Sequence, residues 1–137
     1  MLYIACPYSH PDAAVRNHRY RIACRAAAIL IKSGIVVFSP LSHSVPVAQL
    51  GGVDETDTEF WLRQDIPILH RCGEVLVLGL SGWDKSIGVQ REISEAMSLQ
   101  KPVSIITEQE IDALPNIAAE AMMFGTSTLF KNNNARR

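Results

Sequence analysis

The sequence predicts a three-layer α/β sandwich around a mainly parallel sheet of about five strands. Short, wholly apolar runs such as Val75-Leu76-Val77-Leu78 alternate with longer segments of helical period, the pattern of strands joined by crossover helices. Their continuous apolarity suits strands covered on both faces. Gly, Ser and Pro cluster where the runs end. At 137 residues the chain is expected to form one domain over residues 1–130, with a frayed tail over 131–137.

Leu2-Tyr3-Ile4-Ala5 reads as the first strand, stopped by Pro7 and the polar cluster Ser9 to Asp12. Asp12 to Lys32 is a long helix in which Val15, Ile22, Ala26, Ile29 and Leu30 recur near helical spacing, closed by Ser33-Gly34. Ile35 to Phe38 is a second strand ending at Pro40, and Leu41 to Thr56 reads as a long loop. Asp57 to His70 is a helix that Pro67 should kink or shorten. Glu74 to Leu78 forms the third strand, Ile87 to Leu99 a helix, Val103 to Ile106 the fourth strand and Ile111 to Met122 the last helix. Thr126 to Phe130 completes the expected sheet.

A formal net charge of −1, from 13 Lys and Arg against 14 Asp and Glu, gives no basic excess for a nucleic-acid polymer. No apolar run approaches the ~20 residues that span a bilayer, so no membrane partner is expected. Cys6, Cys24 and Cys72 are odd in number and widely spaced, which fits a reducing cytoplasm rather than a disulfide framework. His10, His18, His43 and His70 lack metal-ligand spacing, and no cofactor is expected.

In open α/β sheets ligands sit at the carboxyl ends of the strands, so Tyr3 to Asp12, Ser39 to Ser44 and Ser81 to Glu92 should share one rim. Glu92 lies early in the helix that follows the third strand, where backbone N–H groups favour an anion. Such a carboxylate serves as base, metal ligand or nucleophile; the competing reading is a solvated helix residue. Tyr3 is either an ordinary strand aromatic or a hydroxyl that orients that carboxylate. Asp65, among Trp61 and Leu69, is a partly apolar carboxylate, unless it is exposed on the other face; two carboxylates in unlike surroundings can divide anion and proton donor between them.

Ser9, Arg16 and Arg19 put a hydroxyl and two guanidiniums at the start of the first helix, which suits a phosphate; the alternative is a solvated basic face. His10 and His43 read as substrate contacts on rim loops. Cys6 after the first strand has the layout of low-molecular-weight phosphatases, but their C-x5-R signature would put Arg at position 12, where Asp12 stands and would repel phosphate. Cys6 is therefore read as a buried thiol. Trp61, Phe60 and the apolar segment Ala118 to Phe124 exceed what one small domain readily buries, so a homo-oligomer is expected.

Tyr3, Asp65 and the run S-x-G-V-x-x-E ending in Glu92 resemble the nucleoside 2-deoxyribosyltransferase superfamily. Y-I-A-C-P-Y-S-H-P-D, V-F-S-P-L-S-H-S and G-W-D-K-S-x-G-V resemble, within it, a small bacterial and phage subfamily known as a domain of unknown function. The likeness covers about residues 1 to 106. It implies a Rossmann-like (flavodoxin-like) fold and cleavage of N-glycosidic bonds, with Glu92 as nucleophile, Tyr3 positioning it and Asp65 contacting and helping to protonate the leaving base.

The resemblance also implies substrate contacts from Ser86 and Gly88. Nucleoside transferases of the superfamily carry an acidic residue where Ser86 stands, whereas its nucleotide 5′-monophosphate hydrolases carry serine. A hydroxyl can donate to phosphate where a carboxylate repels it, so a nucleotide N-glycosidase is expected ahead of a nucleoside 2-deoxyribosyltransferase. A nucleotide-binding sensor without turnover is the remaining alternative. Two departures stand out: Pro7-Tyr8-Ser9-His10-Pro11 replaces the superfamily's Gly-rich loop, and Ser94 replaces a Gly two residues after the nucleophile. Members of the superfamily complete each site from a neighbouring subunit's C-terminal region, a place that Asn132, Asn133 and Asn134 would fill here.

Overall fold

The structure, a computed structural model, describes residues 1–124. Its elements run β1 (Leu2–Ala5), α1 (Ala13–Lys32), β2 (Val37–Phe38), α2 (Pro40–Gly51), α3 (Thr58–Arg71), β3 (Glu74–Gly79), a short 3-10 turn (Trp83–Lys85), α4 (Ile87–Ser98), β4 (Val103–Thr107), α5 (Glu108–Ile111) and α6 (Leu114–Phe124). The strands are all parallel, in the order β2-β1-β3-β4, consistent with a Rossmann-like fold. Among the described residues the sheet has four strands rather than five. The strand expected at 126–130 and the tail at 131–137 lie outside the described residues, as do Asn132, Asn133 and Asn134.

Successive strand residues point to opposite faces, and the packing follows that alternation. Leu2, Ile4, Leu76, Leu78 and Ile106 pack with Ala23, Ala26 and Leu30 of α1 and with Ile111, Leu114 and Ala118 on one face. Tyr3, Ala5, Val75 and Val77 pack with Leu69 of α3 and with Val89 and Ala96 of α4 on the other. These two cores make the three layers. Among the described residues no helix is long and apolar enough to cross a membrane.

The segment expected as a long loop from Leu41 contains α2. Pro40 occupies its first turn, where a missing N–H is harmless, and Gly52 ends it in the left-handed region at φ 68°. Leu41, Ser44, Val45 and Ala48 form its buried stripe, a helical period that Pro46 and the Ser and His residues disguise. Pro67 neither ends nor shortens α3, which Asp57 caps by accepting from the Phe60 amide at 3.1 Å; burial of Leu62 and Leu69 offsets the proline's cost of about 3 kcal/mol. The single helix expected from Ile111 is two, because Thr107 and Glu110 form a capping box that starts α5 early.

Candidate active site

From β1 the chain passes to β2 on one side, while β3 pairs with β1 on the other. The carboxyl ends of β1 and β3 therefore flank a switch point, where open α/β sheets leave a crevice. A cavity of about 260 Å³ occupies it, walled by residues that follow β1, by α2 and α3, and by the start of α4.

Helix α4 buries Val89, Glu92 and Ala96 on one face, so helical period alone turns a carboxylate inward among apolar neighbours. Tyr3, fully buried, points to the same side of the sheet and donates its hydroxyl to Glu92 Oε1 at 2.6 Å, the length of a charge-assisted bond. Glu92 is only 6% exposed. The expectation that backbone N–H groups of the helix keep it anionic does not hold: burial pushes its carboxyl up to about 8, with the Tyr3 bond acting in the opposite direction and the nearby Asp65 charge adding to the rise. The Tyr3 phenol is held well above its usual range by burial and then by the Glu92 charge.

Asp65 faces Glu92 from α3 and is 4% exposed. Its Oδ1 is buried without a hydrogen-bond partner, and burial pushes the carboxyl up to about 7. Thr58, Trp61, Leu62 and Asp65 all line the cavity, at positions that share one face of a helix. One wall is thus an aromatic and aliphatic stripe ending in a carboxylic acid.

At the rim, Ser86 caps α4 by accepting from the Val89 amide at 3.3 Å. The amides of Ile87 and Gly88 precede the first intrahelical bond, which Gln90 makes to the Ser86 carbonyl at 3.0 Å. Lys85 lines the cavity beside them, so a cation, a hydroxyl and the positive end of a helix converge there. A Cβ on Gly88 would meet the Thr58 methyl at 3.6 Å, an ordinary contact, so packing does not require this glycine.

Ser9 lines the same cavity, but Arg19 and Arg16 are engaged elsewhere. Arg19 is buried and donates to the carbonyls of Tyr8 (3.2 Å), Ser9 (3.1 Å) and Ser81 (2.7 Å), which clamps the loop after β1 to the loop after β3. Arg16 donates to the carbonyls of His10 and Pro11 and pairs with Glu55 at 3.5 Å. Neither guanidinium lines the cavity. His10, whose Nδ1 accepts from the Asp12 amide, lines an adjoining open cleft with Arg16. The His43 ring is tilted against Phe38, 6.2 Å between centroids, and lines another groove with Phe60 and Trp61.

Cys6 lines the cavity, donates to the Pro7 and Arg19 carbonyls, and is held protonated by burial. Trp61 and Ala118, expected as surplus apolar surface, have partners within the chain: Trp61 donates to the Asp54 carbonyl at 3.0 Å, and Ala118 is fully buried. Tyr8, Ser44, Glu55 and Lys85 also line the cavity without having been singled out from sequence. Tyr8, Ser44 and Lys85 fall within the three rim segments; Glu55 carried no signal. Among the described residues no group of three or more His, Cys, Asp or Glu side chains is placed to hold a metal ion.

Residues 1–108 match the family described as Domain of unknown function (DUF1937). The chain belongs to that family. No curated protein matches it. The DUF1937 match runs from β1 through β4, so every cavity-lining residue of this DUF1937 chain falls inside it.

Proposed function

We propose that this chain cleaves the N-glycosidic bond of a nucleoside 5′-monophosphate through a covalent glycosyl-enzyme intermediate on Glu92. The observation that carries the reading is the buried Tyr3 to Glu92 hydrogen bond of 2.6 Å with Asp65 on the opposite wall of the same cavity. A binding site needs neither a desolvated carboxylate held by a phenol nor a second carboxyl left without a partner. The likeness of Tyr3, Asp65 and S-x-G-V-x-x-E to the nucleoside 2-deoxyribosyltransferase superfamily supports the same chemistry.

In this scheme a leaving base that accepts a hydrogen bond from Asp65 fixes the pair's proton there, and the Tyr3 hydroxyl stabilises the charge left on Glu92. The Glu92 carboxylate attacks C1′, the C1′–N bond breaks, and its electron pair leaves on the base nitrogen with the Asp65 proton. Water then attacks C1′ and gives a proton to Asp65, the ester bond to Glu92 breaks, and the sugar phosphate departs. A second base in place of that water gives transfer instead of hydrolysis.

The 5′-phosphate is assigned to Ser86, Lys85 and the first amides of α4. One observation favours an uncharged nucleoside instead: among the described residues Glu55, Asp65 and Glu92 line the cavity against one basic residue, Lys85. Thermal denaturation separates the two. A 5′-monophosphate should raise the melting temperature more than its nucleoside does, since each charge-assisted hydrogen bond adds roughly 1.5–3 kcal/mol. Equal shifts would transfer the assignment to nucleosides.

Self-association belongs to the same proposal, now resting on Val47, Phe60 and above all Leu50, which is 92% exposed. Light scattering at micromolar concentration should report a species larger than the single chain; a monomer alone would remove this part. A cytoplasmic setting remains part of the reading.

A further inference from the structure

Trp61 has a place in the cavity that the scheme above does not use. It lies one helical turn before Asp65 on α3, and both side chains line the cavity with Leu62 between them in sequence. Its indole is fixed at two points: Nε1–H donates to the Asp54 carbonyl at 3.0 Å, and its ring meets Phe60 edge to face, 5.0 Å between centroids and 87° between planes. Tyr8 lines the same cavity from the loop after β1 and packs with the core on the opposite face of the sheet. Two aromatic residues thus line the cavity, and of the two Trp61 is the one on the same helix face as Asp65. A fixed ring beside a hydrogen-bonding acid suits a group that is flat and polar at its edge.

We infer that Trp61 is the platform on which the leaving group stacks, and that it restricts this site to flat heteroaromatic leaving groups. The inference rests on the N-glycosidase reading and adds a specificity-determining residue to it. Stacking is tolerant of which base is present, since every base has a π face, so Trp61 selects aromaticity while the edge contact with Asp65 selects among bases.

The experiment uses the two tryptophans of the chain, Trp61 and Trp83. In a Trp83→Phe background, adenosine, thymidine and their 5′-monophosphates should change the emission of the remaining indole, whereas ribose 5-phosphate should not. Trp61→Leu should weaken binding of these nucleosides and nucleotides about tenfold or more and leave ribose 5-phosphate binding unchanged. Trp61→Phe should stay within about threefold of wild type, because it keeps a stacking face while losing the bond to Asp54.

Equal losses in the Phe and Leu variants, or an equal loss for ribose 5-phosphate, would mean that the indole only tethers the loop, and would overturn the inference. Nucleosides or nucleotides cleaved by wild type and equally well by Trp61→Leu would overturn it while leaving the N-glycosidase reading intact. Failure of wild type to bind any of these probes would overturn both.

Discussion

Glu92→Gln is expected to lower turnover by at least roughly a thousandfold, about 4 kcal/mol of transition-state stabilisation, while the fold and ligand binding persist. The amide has nearly the volume of the carboxylate and its oxygen can still accept the Tyr3 hydroxyl, so the buried face of α4 stays filled. What it cannot do is form the ester to C1′. Tyr3→Phe should cost less, since it removes a donor to the nucleophile and leaves the nucleophile itself. A 2-fluoro arabinosyl analogue, which slows breakdown of the glycosyl-enzyme, should leave its sugar mass on Glu92 of wild type. Activity in the Gln variant, or the label on another residue, would end the assignment.

Asp65→Asn should change the shape of the pH profile as well as its height. Burial raises both carboxyls, Asp65 to about 7 and Glu92 to about 8, so near neutrality the pair carries about one proton between them. In the proposed scheme turnover needs that state, and kcat/KM should then trace a bell centred near pH 7 to 8. Asn removes the proton donor, so the maximum should drop by roughly a hundredfold or more and the alkaline limb should disappear, leaving the acid limb of Glu92. A variant that keeps both limbs would exclude Asp65 from the proton transfer.

Stability carries an independent sign. The folded carboxyl holds its proton more tightly than the unfolded one, whose ordinary value is 3.8. The contribution of protonated Asp65 is therefore complete below about pH 4 and is lost as pH rises through 7. Urea titrations should show wild type weakening over that interval by roughly a few kcal/mol, and Asp65→Asn weakening less.

The apolar runs that became β1 and β3, and the helical stripe of α4, were legible because strand and helix periods are local properties. Tyr3 and Glu92 lie 89 positions apart, yet β1 beside β3 and a helix returning over β3 bring them to one face of the sheet. Helix α2 was hidden by Pro46, since its buried residues show the period only when the proline is tolerated. The destinations of Arg16 and Arg19 were not legible, because most of their partners are backbone carbonyls, of one loop for Arg16 and of two loops for Arg19, and no residue type announces a carbonyl; the Glu55 partner of Arg16 is distant in sequence. Glu55 and Tyr8 reach the cavity for a similar reason: loop conformation, not periodicity, brings them there.

The clamp made by Arg19 ties the accuracy of the site to the stability of the domain. The loops after β1 and β3 bring Ser9 and Lys85-Ser86 to one cavity, and a single buried guanidinium ties the two loops together. Gly82, at φ 85°, passes so close that an added Cβ would stand 3.0 Å from Arg19 Nη2. Loop ordering is thereby completed when the chain folds, and binding need not supply it. Under the proposed reading, reorganisation is removed from the encounter with substrate and placed on a guanidinium that does not line the cavity, so substitution of Arg19 can loosen both loops together while Tyr3, Asp65 and Glu92 remain in place.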